Sequence, residues 1–121
     1  MPPRPERDPL DQLPLRPIEA LILTMLADGE RHGYAIRREI MEHTSGAYEL
    51  EAGNLYRYIR RLEDDGLIGR ATRKPAVGED PRRVYYRMTP FGRRVLAAEL
   101  SRIRELLRLA AARRIVPSAA T

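Results

Sequence analysis

With 121 residues, the chain has room for one domain with its own hydrophobic core and too little for two. It carries no cysteine, which removes disulfides, thiol nucleophiles and Cys-ligated zinc, and its longest apolar run, residues 20–27 interrupted by Thr24, is far short of the ~20 residues that span a bilayer. The net charge of +5 is unevenly spread: residues 1–51 hold six Arg against ten acids, whereas residues 52–94 hold eleven Arg and Lys against five. A cytoplasmic protein is expected, with no membrane partner and with a polyanion as the natural partner of its basic middle.

In chain order, residues 1–16 contain five prolines and no apolar period, and are read as a mobile Pro/Arg-rich arm. Pro17 suits a first helical turn, and Ile18, Leu21, Ile22, Met25 and Leu26 follow at helical spacing, which predicts a first helix over about 17–28. A second opens at Gly33 with Tyr34, Ile36, Ile40 and Met41 on its apolar side and Gly46 as a left-handed stop. Tyr48 and Leu50 alternate with polar neighbours, as in a short extended link or strand.

The third helix, entered at Ala52-Gly53 and closed by Gly66, carries the main signal. Leu55, Ile59 and Leu62 fall on one side; Asn54, Arg57, Arg60 and Arg61 cluster on the other. One side packs and the other presents guanidinium groups, whose planar forks match phosphate oxygens and the guanine edge, while Asn matches adenine. Residues 67–73 and 83–88 lean towards strand and flank a Pro/Gly loop at 74–81, so they predict a hairpin whose basic set is Arg70, Arg73, Lys74, Arg82 and Arg83. In that hairpin Tyr85 and Tyr86 are expected on opposite faces, one of them inward.

Thr89-Pro90 reads as an N-cap and first turn. From there the pattern stays helical to about Arg114, with Leu96, Leu100, Ile103, Leu107 and Ala110 alternating by four and three, the seam of a dimerisation helix. Residues 115–121 are read as a disordered tail.

This order predicts a mainly α, α+β fold: a winged helix-turn-helix domain over 17–88 and a C-terminal dimerisation helix over 89–114. In that architecture the third helix enters the major groove and the wing follows the backbone. Gly53, Asn54, Tyr56, Arg57, Arg60 and Arg61 are the predicted contacts of the recognition helix, with the Tyr56 hydroxyl reaching a phosphate. A different class of function, a winged-helix protein-interaction module that does not read DNA, shares these features; an operator preference of ~10³ over random duplex separates the two. Catalysis finds no P-loop, nucleophile elbow, dinucleotide fingerprint or helical His-Glu-x-x-His. His32 and His43 stand eleven apart without a cysteine, so His32 is read as a structural residue and neither metal nor cofactor is expected.

The sequence resembles the PadR family of bacterial transcriptional regulators, in particular its short members with a single C-terminal helix. The likeness runs from about Leu15 to Leu109 and rests on Pro17-Ile18-Glu19, Arg31-His32-Gly33-Tyr34, Gly53-Asn54-Leu55-Tyr56-Arg57 with Arg61-Leu62-Glu63, and Arg83-Val84-Tyr85-Tyr86-Arg87-Met88-Thr89-Pro90-Phe91-Gly92. It implies a homodimer on an inverted-repeat DNA operator, repression, and release by a small aromatic effector near the dimer interface. The chain departs from the family pattern where the third helix begins: Glu51-Ala52 replaces the frequent Ser-Pro, and Asn54 replaces a frequent Thr.

Overall fold

The structure, a computed structural model, describes residues 7–48, 51–72 and 77–116. Three helices form the body: α1 (Pro17–Met25), α2 (Gly33–His43) and α3 (Ala52–Asp64). Each sends its apolar stripe to a common centre, Ile22 and Leu23 from α1, Ile36 and Ile40 from α2, Leu55, Ile59 and Leu62 from α3, all buried. Burying one such side chain stabilises the fold by roughly 1.5–3 kcal/mol over leaving it in water, so these stripes fix how the helices sit.

Helix ends follow local chemistry. The last turn of α1 tightens, with the Leu26 N–H bonded to the Ile22 and Leu23 carbonyls and Ala27 to Thr24, so α1 stops short of the predicted residue 28. At the end of α2, Ser45 (φ 51°) turns left-handed together with the predicted Gly46 (φ 77°), and the Gly46 N–H closes on the Met41 carbonyl at 3.0 Å. Gly66 (φ 78°) ends α3 in the same way, with Leu67 donating to the Leu62 carbonyl at 2.9 Å. The link predicted around Tyr48 and Leu50 lies partly outside the described residues.

A three-stranded antiparallel sheet stands beside the helices in the order β1 (Arg31–His32), β3 (Tyr85–Met88), β2 (Ile68–Arg70). Ile68 pairs with Met88 and Arg70 with Tyr86, while Arg31 pairs with Tyr86 on the other side. The predicted hairpin is present with shorter strands. Strand β1 has no counterpart in the sequence reading, because two residues are too few to show a period. Tyr86 is the inward one of the two tyrosines, but the expectation did not extend to burial of both: Tyr85 and Tyr86 are 7% and 4% exposed. As β3 is central, Tyr86 faces the core and the other face of the strand is covered too. There the Tyr85 hydroxyl donates to Glu79 at 2.7 Å and its ring meets His32 edge-on at 5.4 Å.

One expectation is corrected at the N-terminal segment. Residues 7–16, expected to be part of a mobile arm, fold back on the domain, while residues 1–6 lie outside the described residues. Pro9–Gln12 form one 3-10 turn, capped by the Asp8 carboxylate, which accepts from the Leu10 N–H at 2.9 Å. Leu13 and Leu15, spaced around Pro14, pack against the core, and the Leu15 N–H donates to the buried Glu99 carboxylate. Arg7 donates to the Asp65 carbonyl at 2.7 Å and lies 4.3 Å over the Phe91 ring. Alternating Leu and Pro carries no helical period, so this packing could not be read from spacing.

The last element, α4 (Pro90–Ala112), starts as predicted: the Thr89 hydroxyl accepts from the Gly92 N–H at 2.9 Å and donates to the Gly66 carbonyl at 2.6 Å. Gly92 lies so close to the wing root that a Cβ there would sit 2.0 Å from the Leu67 carbonyl oxygen. Val95, Leu96 and Glu99 bury the first half of the helix. Helix, helix, helix, wing and long C-terminal helix make the α+β winged helix-turn-helix the sequence predicts. Of the predicted tail, residues 117–121 lie outside the described residues.

Candidate nucleic-acid interface

The outer side of α3 is open. Gly53, Asn54, Arg57, Arg60 and Arg61 are all exposed. Among the described residues no hydrogen bond or ion pair engages the side chains of Arg57, Arg60 or Arg61, so their donors face solvent. Burial of Leu55, Ile59 and Leu62 on the opposite side dictates this: a 3.6-residue period leaves the arginines nowhere else to point. At the start of α3, Glu51 takes the N-cap position without a side-chain cap bond. Tyr56, 46% exposed, turns towards α2, where a Cβ on Gly33 would come within 2.7 Å of its hydroxyl. Gly33 thus admits the ring, and it follows His32, whose Nδ1 accepts from the Ala35 N–H at 3.1 Å to cap α2.

The wing arginines are held differently. Arg70 pairs with Glu63 at 3.1 Å, which raises its pKa above the ordinary guanidinium value through that hydrogen bond. Arg82 pairs with Asp80 at 3.2 Å, and the guanidinium holds the Asp80 carboxyl below the usual aspartate range. Arg83 sets its Nη1 3.0 Å from His32 Nε2. Arg73 and Lys74, the other predicted wing contacts, lie outside the described residues. Between α2, Tyr56 and the wing lies a hollow of about 240 Å³ bordered by Tyr34, Arg82 and Arg83.

A larger groove, about 740 Å³, separates the start of α1 from α3 and is lined by Arg16, Asn54, Arg57 and Arg61 with Tyr48 and Tyr58. The sequence reading missed Arg16 and Tyr58. Arg16 belongs to the segment taken as an arm, and only the tertiary fold carries it to α3.

The predicted dimerisation seam divides. Leu96 is buried in its own domain, whereas Leu100 (48%) and Leu107 (52%) are exposed and Ile103 and Ala110 partly so. Leu106 (59%) and Leu109 (41%) widen the open stripe beyond the predicted positions. Among the described residues no cluster of His, Cys, Asp and Glu could hold a metal ion, and no helix is long and apolar enough to cross a membrane.

Comparison with known proteins agrees with this geometry. Residues 22–98 match the transcriptional regulator PadR-like family. The transcriptional regulator Rv3488 of Mycobacterium tuberculosis is 38% identical over 87 residues, covering 72% of this chain and 76% of that protein. A PadR family transcription regulator from hypervirulent Clostridium difficile R20291 superposes with a TM-score of 0.66 at 26% identity, over 77% of this chain and 93% of that one. Bacillus subtilis PadR, solved in complex with operator DNA, superposes with a TM-score of 0.60 at 25% identity, over 72% of this chain and 48% of that one.

Proposed function

Because the chain belongs to the PadR-like family of transcriptional regulators, we propose that it is a repressor that binds an inverted-repeat DNA operator as a homodimer. The observation that carries the proposal is the unengaged state of Arg57, Arg60 and Arg61 on the exposed side of α3. An arginine already satisfied by a carboxylate gains little from a base, whereas a free fork gains two charge-assisted bonds. Arg57 and Arg61, one turn apart, are the base-reading pair, with Asn54 one turn earlier; Gly53, Arg60 and Tyr56 border the same surface.

Dimerisation is supported by α4, whose 23 residues make a rod of ~34 Å. Past Glu99 it carries Leu100, Leu106, Leu107 and Leu109 in the open. A second copy covers that stripe and sets two α3 helices at the paired spacing an inverted repeat demands. Release by a small aromatic effector is carried by the family likeness alone, and an operator as partner implies a cytoplasmic location.

A gel-shift titration with the chain's own upstream region and a random duplex of equal length tests the reading. The expected preference is ~10³ or more for the upstream region, falling by ~10-fold or more in Arg57→Ala and again in Arg61→Ala. Equal affinity for both duplexes in the wild type would overturn it in favour of a protein-interaction module.

A further inference from the structure

The groove between the first turn of α1 and α3 gathers three guanidinium groups from two separate elements, Arg16 from one side and Arg57 and Arg61 from the other. Among the described residues, no acidic side chain lines it. None of the three arginine side chains is engaged by a carboxylate or carbonyl among the described residues. Glu19, one turn into α1, is turned away from the groove: it is buried and accepts from the Arg16 backbone N–H at 2.9 Å. That bond and Pro17 hold the backbone of Arg16 in an extended N-cap conformation (φ −68°, ψ 146°), so the guanidinium starts from a fixed base.

Like charges gathered around one groove repel one another, and none of the described residues supplies them a counter-ion. The groove is complementary to a strand of anions. Its remaining surface, from Tyr48, Tyr58 and the first turn of α1, is largely apolar, suited to the carbon face of a sugar. We propose that the sugar-phosphate backbone of one DNA strand runs through this groove, with Arg16 on a phosphate. The DNA-contacting surface then continues from α3 onto the start of α1. This inference rests on the operator-binding reading above and adds to it a contact that positions the duplex without reading bases.

A phosphate contact acts alike on every sequence, and it releases counter-ions. The test is binding to the upstream region and to a random duplex between 50 and 200 mM salt, for the wild type, Arg16→Gln and Arg16→Lys. Arg16→Gln is expected to weaken both duplexes by the same factor, roughly three- to ten-fold, and to lower the slope of log affinity against log salt by ~0.9 for each subunit in contact; Arg16→Lys restores most of the slope. An unchanged slope in Arg16→Gln, with operator preference still lost in Arg57→Ala, overturns the groove assignment and leaves the operator reading intact. An unchanged slope with a shifted monomer–dimer equilibrium in sedimentation also overturns it, and assigns the groove to contact between copies of the chain. A wild type without operator preference defeats the operator reading, but a reduced slope on random duplex in Arg16→Gln still supports the groove as a backbone contact.

Discussion

Arg57, Arg60 and Arg61 on α3 stand exposed with their guanidinium groups unengaged among the described residues, whereas Arg70, Arg82 and Arg83 in and around the wing each lean on a neighbour, Glu63 at 3.1 Å, Asp80 at 3.2 Å and the His32 ring at 3.0 Å. Both sets count equally in the net charge, but they differ in what binding DNA gives them. An unengaged fork exchanges only water for a base edge. A paired one must share its donors or give up its carboxylate, and the gain shrinks accordingly. The pairs do orient these side chains before DNA arrives, with Arg70 linking β2 to the end of α3 through Glu63 and Arg82 bound locally to Asp80. On this account α3 supplies the reading surface and the wing supplies charge already set in position.

The largest effect is expected where the wing is rooted. At Gly92, a Cβ would stand 2.0 Å from the Leu67 carbonyl oxygen, and that contact is backbone, which cannot rotate aside. Gly92→Ala must push α4 away from the residue that leads into β2. It is expected to destabilise the fold by ~2–4 kcal/mol and to lower the melting temperature by at least ~10 °C, read by circular dichroism. DNA binding should fall with it, because the wing loses its register with α3. A variant melting with the wild type would mean that the wing is not positioned through this contact.

A smaller effect distinguishes the two arginine sets directly. Arg70→Ala combined with Arg82→Ala should weaken the upstream region and random duplex alike, by ~10-fold or less, and leave their ratio intact. The salt slope should drop. Should the double variant instead lose operator preference while keeping its slope, the wing would be the base-reading element and the contrast with α3 would be inverted.

Much of this was legible in the sequence, for reasons that differ by element. The third helix could be read because Leu55, Ile59 and Leu62 impose one period and the arginines fall out of phase with it. Thr89-Pro90 and Gly66 could be read because their chemistry is local: a hydroxyl cap, a first-turn proline, a left-handed glycine. What was not legible depends on distance along the chain. Leu15 meets Glu99 across 84 residues, and Arg7 reaches Asp65 across 58, so nothing near residues 7–16 reveals that they fold onto α4. The pairing of the wing arginines was hidden for a related reason. Glu63 sits near the end of α3, and its partner Arg70 lies beyond the turn that closes that helix, so helical spacing does not pair them. Leu96 joined the seam by spacing, but the first half of α4 is covered by its own domain, and spacing cannot say which body covers a stripe.

The smallest effect probes the wing pair itself. The guanidinium of Arg82 lowers the Asp80 pKa first through a side-chain hydrogen bond and then through the Arg82 backbone N–H, which Asp80 accepts at 2.9 Å. A carboxylate whose folded pKa is depressed contributes stability that is complete above its ordinary value, near ~4, and is lost as the pH falls through the lower folded value. From pH 5 to 8 the pair is therefore intact. Asp80→Asn keeps an oxygen for the Arg82 backbone N–H while deleting the charge that competes with a phosphate. Both duplexes should bind about two- to five-fold tighter at pH 7, with a steeper salt slope. Stability at pH 7 should barely change, and the fall in stability below about pH 4 should be shallower than in the wild type. Equal affinity in the two proteins would mean that pairing does not limit what Arg82 gives to DNA, and the difference between wing and α3 would have to come from reach alone.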